Sequence, residues 1–372
     1  MANRLLVVSG NCFDSDPWRD HTARIWAEFA ERFDEVHIFA RSVDQTFKSA
    51  SQGNIYLHLI PRGPRPMATF LLSSWLAPLF AVRWGATHIL AQSPVHGGPA
   101  AVVTGRLLKN PVYLEFHGEQ YFRSRPKGAL AHWLFYRPLS LLTTAGATRL
   151  RALSPEMRDE IARVYPRSVT KTVVVPNRVN LQTFRPVKRT YESSGPLRVI
   201  TVGALVQRKN HLALLRALSD SSCPVTLTIV GSGPLSRELQ AEADRVGIEL
   251  EILGNQTHEQ LACRLRASDV YIHFATSEGV PRAILEAMAI GLPVIATSVG
   301  FMRGIVNHGR NGLLLDASGD GLDPALHSVQ DAAFRRRLGE AASRTIEEEH
   351  EWHAVFAQYV DSVLYMRNAK TT

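Results

Sequence analysis

The sequence predicts an α/β protein made of two successive halves, and three observations carry that prediction. Short apolar runs alternate with longer amphipathic ones from end to end, the pattern of parallel strands covered by helices. At 372 residues the chain exceeds one ordinary domain of roughly 100 to 200 residues. A polar stretch at 185–196, holding Pro186, Ser193, Ser194, Gly195 and Pro196 with no apolar period, separates two such alternations. The expected organisation is a first domain at 1–186, a linker at 187–196 and a second domain at 197–351.

In the first half the short apolar runs place strands at 5–9, 36–40, 55–60, 88–91, 112–116, 149–153 and 172–175, with helices between most of them. The second half starts a new cycle, with strands at 198–202, 225–230, 249–253, 270–274, 293–297 and near 313–315. Helices are expected from Asn210, over 235–246 and 259–266, and from Pro281, and 322–367 is helical by composition.

Apolar residues at 45% and charged residues at 20% exclude a disordered or collagen-like chain. Cys12, Cys223 and Cys263 are few and far apart, with no Cys-x-x-Cys, so they form neither a disulfide framework nor a zinc site and fit a reducing compartment. The amino terminus reads as a first strand rather than a secretory signal. A cytoplasmic protein is expected.

The charge is uneven. Of the 42 basic and 34 acidic residues, 1–186 holds 23 and 13, leaving 19 and 21 for the rest, so the first half carries the whole surplus of +8. Nucleic acid is not an expected partner, because there is no dense Lys/Arg run, zinc-finger spacing or aromatic-interleaved RNA signature. An anionic membrane surface fits better. The segment 66–82 has no charge and lies among Arg62, Arg65, Arg83, Trp75 and Trp84; Ser73, Ser74 and Pro78 weaken it as a span. Thr69, Ser73, Ala77 and Ala81 recur every fourth residue and would dock the helix on a sheet. It reads as a packing helix or as one whose outer face meets lipid headgroups, and so does 129–142, which follows the basic loop at 123–127.

The stretch from Ser277 to Pro293 follows a strand and opens a helix. Pro281 suits the first helical position, and Gly279 lets the backbone approach a ligand. A helix start at the carboxyl end of a parallel strand offers free N–H groups to an anion. Glu286 lies five residues past Pro281, about 7.5 Å along the axis, and leans back toward the amino end. Glu278 would flank the same anion on its other side, an arrangement that suits a nucleotide sugar. Alone, Glu278 reads as a loop acid and Glu286 as a helix surface residue.

This segment resembles the Glu, seven residues, Glu motif of retaining glycosyltransferases, and the chain resembles glycosyltransferase family 4. Val202-Gly203 through Arg208-Lys209-Asn210, Gly231-Ser232-Gly233, Gly254-Asn255 and Asp269-Val270 are similar to the family's landmarks in their usual order, as are Phe116-His117-Gly118 and the run from Pro176 to Phe184. The resemblance implies a GT-B fold, two Rossmann-like domains facing each other across a cleft, with the terminal helix 352–372 packing back onto the first. It implies that Glu286 binds ribose, that Glu278 with Gly279, Val280, Pro281 and Arg282 binds the donor sugar, that Lys209 and Arg208 neutralise the diphosphate, that His117 touches the sugar near the reacting carbon, and that Asn255 lies near the base. Glu278, His117 and Lys209 are the expected catalytic residues. The partners implied are a nucleotide-sugar donor, which is substrate and not cofactor, and a saccharide or lipid-linked saccharide acceptor.

The chain departs from the family pattern at Ala204, where an arginine is usual, at Ser9-Gly10-Asn11, where two glycines are usual, and at Arg178, Asn180 and Phe301. Asp14-Ser15-Asp16 is similar to a metal motif of the other major glycosyltransferase fold, but Asp16 before Pro17 is a natural N-cap and no further ligands are evident, so no metal is expected. Gly231-Ser232-Gly233 fails the dinucleotide fingerprint at Ser236. For a retaining enzyme the resemblance implies a front-face path, in which no protein base is required. The alternatives are a nucleotide-sugar epimerase or a phosphorylase of the same architecture, or a non-catalytic nucleotide-sugar-binding protein.

Overall fold

In the computed structural model the alternation becomes two sheets, parallel except for one edge strand of the first. The structure describes residues 2–13, 18, 21–42, 47–61, 63, 72, 74–118, 136–186, 191 and 195–366. The chain divides into one unit of Met1–Val175 with Phe356–Thr372 and a second of Pro176–Val355.

In the first unit the strands are β1 (Arg4–Phe13), β2 (Glu35–Ser42), β3 (Lys48–Gln52), β4 (Ile55–Ile60), β5 (His88–Ala91), β6 (Val112–Glu115), β7 (Arg149–Ala152) and β8 (Thr172–Val174). The helices are α1 (His21–Ala30), α2 (Ala77–Trp84), α3 (Gly98–Leu108), α4 (Arg137–Gly146) and α5 (Pro155–Val164). The sheet order is β3-β4-β2-β1-β5-β6-β7-β8. Leu5, Leu6, Val7 and Val8 of central β1 are all fully buried, as expected of a parallel strand covered on both faces. Strand β3 was not expected. Its polar run has no alternation and lies largely exposed; it forms because Gly53, at φ 58°, turns the chain so that Gln52 pairs antiparallel with Ile55.

The second unit has β9 (Leu197–Val202), β10 (Val225–Val230), β11 (Glu249–Ile252), β12 (Val270–His273), β13 (Val294–Thr297) and β14 (Leu313–Leu315). Its helices are α6 (His211–Ser219), α7 (Ser236–Val246), α8 (His258–Ala267), α9 (Arg282–Ala289), α10 (Leu322–Ser328) and α11 (Ala332–Glu349), and α12 (Trp352–Leu364) follows. The order β11-β10-β9-β12-β13-β14 is parallel throughout. Val199, Ile229, Val270 and Ile272 pack under Leu214 and Leu239 in one apolar cluster. The direction of winding reverses between β9 and β12, and such a switch point opens a crevice at the strands' carboxyl ends.

The division after Val175 precedes the boundary placed at 186 from composition. The reason is a set of bonds between distant residues: Asn177 Nδ2 donates to Val280 O at 2.9 Å, the Val179 amide to His350 O at 2.8 Å, and Arg266 Nη2 to Thr183 O at 2.8 Å. Helix α12 begins in the second unit, with Arg178 over the Trp352 ring, and belongs to the first from Phe356 onward. There the Phe356 and Tyr359 rings meet Phe29 of α1 edge-on, at 5.4 and 5.0 Å between centroids.

Of the two uncharged segments, 66–71, 73 and 129–135 lie outside the described residues, as do Asp14 and Asp16. The described part of the first is a turn at Ser74–Leu76 leading into α2. Ala77 and Ala81 are fully buried, while Leu79 and Val82 are 69% and 64% exposed, with Trp75 and Leu76 close to half exposed. Among the described residues no helix is long and apolar enough to cross a membrane.

Candidate functional site

The loops that follow β9 and β12 bring three charged residues of the second unit together, Arg208, Lys209 and Glu278. After β9 the chain makes a single turn at Gln207–Lys209 and enters α6 through Asn210, at φ 59°. Asparagine tolerates this left-handed conformation better than most residues. The turn is tied to the β12 loop, where the Thr276 amide donates to Arg208 O at 2.9 Å. Lys209 then runs back across Gly203, where a Cβ would lie 3.1 Å from Lys209 Cε. Gly231 and Gly233 have a packing reason of the same kind: a Cβ at Gly231 would sit 2.0 Å from Gly203 O, and one at Gly233 2.5 Å from Leu205 O.

Glu278, in the β12 loop, accepts from Lys209 Nζ and from Arg208 Nη1, the latter at 3.1 Å. His273 Nε2 stands 3.6 Å from the same Glu278 oxygen, just beyond ordinary hydrogen-bond length, and burial lowers the imidazole's own pKa. The Glu278 side chain is 10% exposed. Burial alone would raise its pKa, but His273 and Lys209 outweigh it and hold the carboxyl at about 2. The cluster is therefore an ionised acid with two cations. Gly300 is needed behind it: at φ 59°, a Cβ there would lie 2.0 Å from Glu278 O.

Gly279, Val280 and Pro281 carry the chain into α9, with Val280 and Pro281 buried. Pro281 was expected at the first helical position; with φ −72° and ψ 125° it is the cap, and Arg282 begins the helix. An extended ψ at the cap lets the chain enter the helix from the loop, which one residue of sequence context does not reveal. Arg282 is exposed. Glu286 is 9% exposed and not a surface residue, because α9 buries every side chain from Ile284 to Ala289. Burial raises its pKa to about 6, against a weaker opposite pull from Arg282. His258 Nε2, at the start of α8, is 4.0 Å from Glu286 Oε1, and its ring meets Phe184 edge-on at 5.8 Å.

Asn255 lies in the loop after β11 and accepts from Ser232 Oγ at 3.0 Å. In the first unit His117 follows β6, with its side chain 42% exposed and Nε2 3.2 Å from Glu115 Oε2. The structure thus brings Lys209, Arg208 and Glu278 into one cluster and sets Glu286 in α9 beyond it. Sequence reasoning missed His273, His258 and Glu115. His273 and Glu115 end strands at the carboxyl edge, which is the signal that marks them. Among the described residues no three His, Cys, Asp or Glu side chains form a metal-holding group.

Residues 19–178 match the family described as Glycosyl transferase 4-like domain, and 187–344 match Glycosyl transferases group 1. A D-inositol 3-phosphate glycosyltransferase of Streptomyces avermitilis is 32% identical over 230 residues, covering 55% of this chain and 49% of that protein. The chain spans about half the length of the curated relatives it matches first. Among solved structures, sucrose-phosphate synthase from Thermosynechococcus elongatus superposes with a TM-score of 0.78 at 19% identity, over 96% of this chain and 97% of that one. Anabaena HepE in complex with UDP gives 0.74 at 16% identity, over 97% and 99%. Two consecutive Rossmann-like units, each matched by its own glycosyltransferase family and sharing their fold with GT-B enzymes, place the chain among the GT-B glycosyltransferases of family 4.

Proposed function

We propose that the protein moves a sugar from a nucleotide-sugar donor to a hydroxyl acceptor with retention and without a metal. The observation that carries this reading is the cluster after β9 and β12: Lys209 and Arg208 converge on Glu278 just before α9, and Glu286 is buried in that helix. Sugar transfer from a diphosphate needs charge stabilisation on the leaving group and on an oxocarbenium-like carbon. Lys209, Arg208 and the start of α9 supply the first. Glu278, with Gly279 to Arg282, takes the sugar; Glu286 takes the ribose hydroxyls; Asn255 lies toward the base; and His117 touches the transferred sugar. The departing phosphate oxygen accepts the acceptor's proton, so no side chain is nominated as base.

The acceptor in this reading is a lipid-linked saccharide or surface-polysaccharide precursor, met at the cytoplasmic face of a membrane. Its support is the exposed apolar face of Trp75, Leu76, Leu79 and Val82 in the half of the chain that carries the positive surplus. Melting-temperature shifts against UDP-, GDP- and ADP-sugars test the donor half. A donor at 100 times its Kd stabilises by about 2.7 kcal/mol; no shift with any of the three classes rejects it.

A further inference from the structure

Behind His117 lies a buried charge network that neither the sequence pattern nor the family matches single out. Glu115 ends β6 and is fully buried. The parallel register sets it opposite Arg151 of β7, whose Nη1 donates to Glu115 Oε1 at 2.7 Å. Tyr359 of α12 donates its hydroxyl to the same oxygen at 2.5 Å, and the Arg151 guanidinium lies over the Tyr359 ring at 4.3 Å. The second oxygen, Oε2, faces His117 Nε2 at 3.2 Å. Burial opposes ionisation of this carboxyl, but Arg151, His117 and the Tyr359 hydroxyl outweigh it and hold its pKa well below the carboxylate range. An ionised carboxylate only accepts hydrogen bonds, so the imidazole nitrogen facing it carries the proton.

We infer that Glu115, oriented by Arg151 and by Tyr359 of the terminal helix, is a positioning residue that locks His117 in its Nε2–H tautomer and presents Nδ1 to a sugar hydroxyl as an acceptor. The inference rests on the proposed contact between His117 and the transferred sugar. It also gives α12 a chemical role, because the return of that helix to the first unit completes the support of a histidine at the end of β6, an interior strand. Tyr359 reaches that carboxylate from 244 residues away, so nothing local to His117 announces it.

The test uses the full chain with nitrogen-15-labelled histidine, the His117 signal being assigned by its loss in His117→Asn. Long-range proton–nitrogen correlation in wild type is expected to show one tautomer, protonated at Nε2; a signal protonated at Nδ1 overturns the inference. In Glu115→Gln the amide oxygen stays with its two donors, Arg151 and Tyr359, so the amide N–H faces the ring and is expected to shift the imidazole proton toward Nδ1, with kcat down by about 10- to 100-fold and donor KM nearly unchanged. Because that change strips Arg151 of its buried counter-charge, Tyr359→Phe repeats the test with the ion pair intact, and a smaller fall in kcat with loosened tautomer preference is expected. Pure Nε2–H with wild-type kcat in both variants overturns it. His117→Ala keeps the two failures apart: wild-type transfer by His117→Ala removes His117 from the reaction, whereas an inactive His117→Ala beside fully active, tautomer-locked Glu115→Gln and Tyr359→Phe removes only the positioning role.

Discussion

Lys209 Nζ and the Glu278 carboxylate are bonded to each other, each nearly buried, with exposures of 12% and 10%. In the proposed reaction one serves the diphosphate and the other the sugar, so without donor each neutralises its partner and the site avoids an unpaired buried charge. A donor diphosphate must then compete with Glu278 for the lysine. Glu278→Gln is predicted to bind inorganic pyrophosphate about tenfold more tightly, a change of about 1.4 kcal/mol, while transfer is lost. Calorimetric titration reads this directly, and weaker binding would show that the carboxylate is not the competitor.

Lys209→Ala removes the only one of the two cations that is mostly buried, since the Arg208 side chain is 55% exposed. Removing one preorganised donor typically costs about 2.7 to 4 kcal/mol of barrier, so kcat is expected to fall roughly 100- to 1,000-fold. A near-normal kcat in steady-state assays rejects the diphosphate role.

The raised pKa of Glu286, about 6 against an ordinary 4.5, makes a signed prediction. Folding favours the protonated form, so this contribution to stability is full below pH 4.5 and is lost as pH rises through 6. Glu286→Gln, neutral throughout, is therefore expected to match wild type near pH 4.5 and to gain up to about 2 kcal/mol above pH 7, at the expense of a raised donor KM. Urea unfolding at the two pH values measures the first effect. Equal differences at both would mean that the carboxyl titrates normally.

Gly300 and Gly309 both have positive φ, at 59° and 75°, but only Gly300 has backbone at 2.0 Å from an added Cβ, the carbonyl of Glu278; Gly309 has nothing within 4 Å. Gly309→Ala is expected to cost about 1 kcal/mol from backbone strain alone. Gly300→Ala must displace the Glu278 loop, costing more than that and abolishing donor binding. Melting temperature together with donor titration separates the two; equal behaviour would mean the Glu278 loop gives way freely.

The exposed face of α2 yields the membrane prediction. Leu79→Ser and Val82→Ser replace side chains 69% and 64% exposed, so stability is expected to change by no more than about 0.5 kcal/mol. Flotation with vesicles containing anionic lipid is expected to recover the wild type in a salt-sensitive way and the double variant poorly. Equal recovery of both removes this face from the reading.

Much of the fold was legible because strand burial leaves a periodic trace. The apolar runs at 5–9, 225–230 and 270–274 announced β1, β10 and β12 to within a few residues. Strand β3 left no trace, since an exposed edge strand buries little and depends on a turn at Gly53. Of the residues proposed for donor binding and transfer, Glu278, Glu286, Lys209 and His117 stood out through residue type and motif order. Their partners did not, for His273 and Glu115 look like ordinary polar residues in apolar strands until the sheet sets them beside a carboxylate and a histidine.

Local periodicity and motif spacing are written along the chain, so the alternation of strands and helices, the family and the residues that carry charge could all be read before any coordinates. Three things could not: that Lys209 and Glu278 neutralise each other, that Glu286 is buried enough to titrate near 6, and that Tyr359 completes the support of His117. Those are properties of burial and of contacts between distant residues, and neither exists until the sheets assemble.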